Sequence, residues 1–142
     1  MYKTRKYRIL LDVQSAKVLK CYRNAYYYEF KRLILITTKR KITVKEISDD
    51  IHQASKWNLY KLVMNNKGKE LNKAAIFNSN SVTFSRAMLT FYFGNSFIVD
   101  HLDVGVACDD DEWDELMKAK ILRIDLFYQS EWYVNIILVE RK

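Results

Sequence analysis

The residues with most chemical potential lie early in the chain. Lys3, Arg5, Lys6 and Arg8 interleave with Tyr7 in YKTRKYRIL, Lys17, Lys20, Arg23, Tyr27 and Lys31 follow at helical spacing, and then comes the run Lys39-Arg40-Lys41. Cations spaced in this way can bind the phosphates of a polyanion, and a tyrosine among them can stack on an unpaired base while its neighbours hold the backbone. Tyr7 and Tyr27 are the two aromatics so placed; most of the ten Tyr and seven Phe are expected to fill the core. Residues 1–80 carry 18 Lys or Arg against 6 Asp or Glu, a balance of +12, and residues 81–142 carry 6 against 11, a balance of −5, which sum to the formal +7. Ordinary soluble surfaces intersperse the two signs, so this division points to one face that meets a polyanion, RNA or DNA before an acidic membrane.

Other constellations are weaker. Asp100-His101-Leu102-Asp103 places a His beside two carboxylates, the one candidate for a general base or metal site, but no second His or Cys completes a ligand set and it reads as a strand-end turn. Asp109-Asp110-Asp111-Glu112, continued by Asp114 and Glu115, offers oxygen ligands without the spacing or turn Gly of a calcium loop. Acids there suit the start of a short helix over Glu112–Lys118. His52, after Asp49 and Asp50, reads as a surface histidine. With no nucleophile motif, P-loop or dinucleotide fingerprint, the expectation is a protein that is not an enzyme, has no catalytic or metal residues and needs no cofactor. Cys21 and Cys108 are far apart in apolar surroundings and read as buried thiols without a disulfide. No apolar run approaches the roughly 18–20 residues of a membrane span and no secretory leader is evident, so a cytoplasmic protein with no membrane partner is expected.

The elements that position these residues follow from periodicity. The opening YKTRKYRIL reads as a strand with a cationic side. Val18, Leu19, Tyr22, Tyr26, Phe30 and Leu33 form one apolar stripe of a helix over Ser15–Leu33, and Lys17, Lys20, Arg23, Tyr27 and Lys31 form a cationic ridge on its other face. Thr43 and Glu46 make a capping box, with Ile42 and Ile47 as a hydrophobic staple, and predict a second helix there. A further helical segment over Ser55–Asn65 presents Trp57, Leu59, Leu62 and Val63 and stops near Gly68, so residues 39–75 form a helical insertion. Strands are predicted at Ser81–Phe84 and Ala87–Phe93, the latter turning through Gly94-Asn95 into Phe97–Val99, and at Val104–Cys108. Lys120–Tyr128 and Trp132–Glu140 flank a turn at Gln129-Ser130-Glu131, with Leu122, Ile124 and Leu126 alternating with Arg123 and Asp125. The sum is an α+β single domain over 1–142, its curled antiparallel sheet or barrel built from 1–11 and 81–142 and its helical part from 13–75.

This order of pieces, with YKTRKYRIL, CYRNAYYYEF and EWYVNIILVE in sequence, resembles the N-terminal region of the TnpB transposon-nuclease family and the related type V CRISPR effectors. The resemblance covers nearly the whole chain. It implies a wedge domain, an oligonucleotide-binding-type β-barrel with a helical recognition insertion, that holds guide RNA. It carries an RNA-contacting role onto Arg23 and Asn24 and places Tyr133 and Asn135 on the last barrel strand. The chain departs from the family after Ile9-Leu10, where a Pro-containing turn is usual and Leu11-Asp12-Val13-Gln14 stands instead. The RuvC-like nuclease region that follows the last barrel strand in those proteins has no counterpart before Lys142. The expectation is a non-catalytic module that binds structured or guide-type RNA, with DNA the other nucleic-acid candidate, through Lys3, Arg5, Lys6, Tyr7, Arg8, Lys17, Lys20, Arg23, Asn24, Tyr27, Lys31, Lys39, Arg40 and Lys41. The alternative is a phage or mobile-element inhibitor, an anti-CRISPR, that mimics or binds an RNA-guided nuclease or its guide RNA.

Overall fold

Strand β1 (Tyr2–Leu10) sets the frame because its side chains alternate: Tyr7 and Ile9 are buried, while Tyr2, Thr4, Lys6, Arg8 and Leu10 are exposed. The computed structural model describes residues 2–65, 77, 80–85 and 88–139. Along them run β1, α1 (Val13–Thr37), a 3-10 turn at Val44–Glu46, α2 (Gln53–Asn65), β2 (Val82–Ser85), β3 (Met88–Tyr92), β4 (His101–Val106), α3 (Asp110–Lys118), β5 (Lys120–Gln129) and β6 (Glu131–Val139).

The described strands form one antiparallel sheet in the order β2-β3-β4-β1-β6-β5, and this corrects the expectation of a closed barrel. β1 pairs β6 from Tyr2 to Arg8 but meets β4 only at Ile9 and Leu10, so the sheet bends where β1 changes partner. Among the described strands the edges are β2, four residues long, and β5, whose inner residue Ile124 makes an isolated bridge to Phe77. The sheet curls without closing, and helices fill its concave side.

Helix α1 begins because Asp12 caps it: the Asp12 carboxylate accepts from the Ser15 backbone N–H at 2.7 Å, and this contact holds the carboxyl below its usual range. The helix runs from Val13 to Thr37, longer at both ends than the sequence pattern indicates, and all six stripe residues are buried as the pattern requires. Tyr22 is the centre of the packing, with ring centroids 5.1 Å from Phe77, 4.8 Å from Phe93 and 5.3 Å from Phe97. Burial pushes its hydroxyl up to about 12, and that oxygen accepts from the His52 N–H at 3.2 Å, which ties the start of α2 to the core.

Three expected features take a different form. The Thr43–Glu46 capping box is present and Ile42 and Ile47 are buried, but the box opens only the 3-10 turn, and the second helix starts at Gln53. The cause is a clamp from α1: buried Glu29 accepts from the Ser48 N–H, and Arg32 donates to the Glu46 carbonyl at 3.0 Å, which pulls the chain out of helical register. The Gly94-Asn95 turn does not lead into a strand at Phe97–Val99. Gly94 instead lies against the link before α2, its N–H donating to the Asp50 carbonyl at 3.1 Å, and a Cβ there would lie 2.1 Å from the Asp49 oxygen. Finally, a bulge between Ile121 and Arg123 turns Leu122 outward and Ile121 into the core, contrary to the simple alternation. The turn through Ser130 is where expected and uses a left-handed backbone, φ 63°. The Gly68 helix stop falls outside the described residues, and Glu140 likewise.

Candidate nucleic-acid interface

On α1, the ridge exists as spaced. Lys17, Lys20, Asn24 and Lys31 are exposed, and Arg23 and Tyr27 are partly buried between them. Arg23 is held in place by Tyr27: its Nε donates to the tyrosine hydroxyl at 2.9 Å and its guanidinium carbon lies 4.8 Å from the ring centroid. Tyr27 therefore orients an arginine rather than offering a bare stacking face. Among the described residues no carboxylate pairs with Lys17, Lys20 or Lys31, so the ridge keeps its positive field.

Lys17, Lys20, Arg23 and Asn24 form one wall of a groove of about 460 Å³, and Trp132 of β6 lies at its base. Trp132 is 9% exposed and has the strand parity of the buried Val134, Ile136 and Leu138, so it faces α1 across the concave side of the sheet. An adjoining hollow of about 560 Å³ shares Ala16 and Trp132 with the groove and adds Arg8, Asp12 and Glu131. Arg8 lines that hollow and not the groove itself, and its strand parity is that of Lys6 and the outer face. Its 3.3 Å pair with Glu131 is between groups that are both about half exposed, a contact that contributes little and gives way readily.

The remaining basic residues do not join this site. Arg5 points inward and its Nη2 donates to both Glu115 oxygens at 2.9 and 3.0 Å, so α3 binds a cation that the sequence pattern assigned to phosphate. Tyr7 is 6% exposed, which corrects its assignment as a base-stacking residue. Its hydroxyl bonds to Glu112 and is pushed above its ordinary value, by burial first and by that carboxylate second. The parity of β1 decides both: Arg5 and Tyr7 share the inner face with Ile9. Lys3 is on that face too, and is half-buried. Lys6 is on the opposite face. Lys39, Arg40 and Lys41 follow the far end of α1, about 30 Å from Lys17 by the helical rise. Arg40 is already engaged there, with Glu46 at 2.6 Å and the Lys41 carbonyl at 3.1 Å.

Cys21 is exposed on α1 and Cys108 is half-buried, both as thiols; the expectation of a buried Cys21 is corrected because its position lies off the apolar stripe. Asp109 caps α3 by accepting from the Glu112 N–H at 2.8 Å, so the acidic run builds a helix start. His101 is exposed on β4, and Asp103 accepts from Thr90 at 2.6 Å. Trp132 was missed by sequence reasoning, although its parity with Val134, Ile136 and Leu138 was available as a signal. No family model matches the chain, and no curated protein matches it. No described helix is long and apolar enough to cross a membrane.

Proposed function

We propose that the protein is a non-catalytic RNA-binding module that grips an RNA backbone along α1. The observation that carries this reading is the groove in which Lys17, Lys20, Arg23 and Asn24 converge beside Trp132, with no carboxylate paired to either lysine among the described residues. The lysines and the oriented Arg23 neutralise successive phosphates, and the Asn24 amide, which both donates and accepts, contacts a base edge or a 2′-hydroxyl. The order of elements, a basic strand, a long helix, a helical insertion and then strands, supports the likeness to a wedge-type guide-RNA module, carried here on a sheet that stays open.

A titration of labelled structured RNA against salt tests the proposal. Three phosphate contacts from Lys17, Lys20 and Arg23 give a slope of about −2 in log K against log salt on single-stranded segments, and changing all three to Gln should remove most of it. Binding that ignores salt, or that survives the triple variant with its slope intact, would overturn the reading.

A further inference from the structure

The outer face of the sheet holds a second arrangement that α1 does not touch. Trp132 and Tyr133 are consecutive on β6 and so point to opposite sides, Trp132 toward the groove and Tyr133 outward. Directly across from Tyr133 is Phe127 of β5, and the two rings are stacked, centroids 5.6 Å apart and planes 20° from parallel. Lys6 of β1 reaches over both, its Nζ 4.7 Å from the Tyr133 centroid and 5.3 Å from that of Phe127. Arg8 stands opposite Tyr133 in register and also lines the hollow that leads to the α1 groove. Asp125 and Asn135, paired across the same two strands, flank the rings with hydrogen-bonding groups.

Resting on the RNA-binding reading above, we propose that Phe127 and Tyr133 form a stacking subsite for an unpaired nucleobase, reached by a single strand that leaves the α1 groove and rounds the Ser130 end of the sheet past Arg8. A base has a flat apolar face that suits a ring pair on an open sheet, and a strand carrying it brings phosphates to Lys6 and Arg8 on the same face. In the unliganded protein Lys6 covers the rings through a cation–π contact. When a base takes its place, the ammonium moves to the adjoining phosphate, so its contacts with the two rings give way to a stacked base and an ion pair. A duplex keeps its bases inside and has nothing to offer this face, so the subsite selects single-stranded RNA, whereas the α1 groove grips backbone of either kind.

The probes are a fluorescein-labelled single-stranded RNA of mixed sequence and the same RNA as a perfect duplex. Phe127→Leu with Tyr133→Leu should weaken single-strand binding by about 10-fold or more and leave duplex binding within about 2-fold, since base stacking is lost and phosphate contacts are kept. Tyr133→Phe alone, which retains the ring, should bind both RNAs as the unsubstituted protein does. Photocrosslinking of a 5-bromouridine single strand to the unsubstituted protein, which does not depend on any variant folding, should mark the Phe127 to Tyr133 segment. Equal loss on both RNAs, no loss on either, or crosslinks confined to α1 would overturn the subsite and leave the groove standing. Failure of the unsubstituted protein to bind either RNA would remove the groove reading, and this one with it.

Discussion

Asp125 stands on the outer face of β5 with one oxygen 3.1 Å from Arg123, while its other oxygen is buried and has no partner among the described residues. Burial raises its pKa above the ordinary value, and Arg123 only partly offsets this. The folded state therefore holds the Asp125 proton more tightly than the unfolded chain. Its contribution to stability is full below the unfolded value, near pH 4, and is lost as pH rises through the raised folded value. Asp125→Asn, which removes the charge, should raise the melting temperature at pH 7 and bring little gain at pH 3; a gain that grows toward acid would contradict the burial argument. Gly94 makes a different demand, that of space. Any Cβ there meets the Asp49 carbonyl oxygen at 2.1 Å and the Asp50 carbonyl carbon at 2.4 Å, backbone atoms that cannot swing aside. Gly94→Ala should cost about 2–3 kcal/mol in urea unfolding, and a neutral outcome would mean that the loop docks less tightly on the link than these distances require.

At the scale of elements, the hold of α1 on the link that follows it rests on Glu29, 2% exposed in an otherwise apolar stripe. Its carboxylate accepts from Arg32 at 2.6 and 2.8 Å and from the Ser48 N–H nineteen residues on. Glu29→Ala leaves that N–H without its acceptor and the guanidinium with only the Glu46 carbonyl, and should cost about 2 kcal/mol, a value discounted because Arg32 is more than a third exposed. Glu29→Gln keeps an acceptor oxygen and should lose about half as much in the same urea titration. The same contact explains where sequence reading of the elements stops. The stripe from Val18 to Leu33 was legible because helix burial repeats locally, and the Thr43 capping box was legible because its partners are three residues apart. The length of helix after that box was not, because it is cut short by a carboxylate on another element. Gly94 was read as a turn former for a similar reason: the sequence marks a residue without a side chain, and only the fold shows that Asp49 and Asp50 occupy the space.

For the whole molecule, the charge division between the two halves was legible by counting, and so was the α1 ridge, but the distribution of β1 cations between two faces depended on strand parity and on where α3 packs. Arg5 went to Glu115 and Tyr7 to Glu112, while Lys6 found Phe127 and Tyr133, a pair that lie six residues apart in sequence and become neighbours only through the Ser130 turn. The acidic α3 thus serves β1 from within, and its exposed carboxylates Asp110, Asp111 and Asp114 line neither the α1 groove nor the adjoining hollow. Replacing those three with Asn raises the formal net charge from +7 to +10, since each change removes one negative charge. At low salt this should strengthen weak binding to any polyanion, heparin included. Above about 0.1 M, where charges more than about 10 Å apart are screened, it should leave RNA affinity and its salt slope as they were. Heparin retention and RNA titration at two salt concentrations separate these effects. If the variant still outbinds the unsubstituted protein at high salt, α3 borders the RNA path directly, and the groove on α1 is not the whole of the contact.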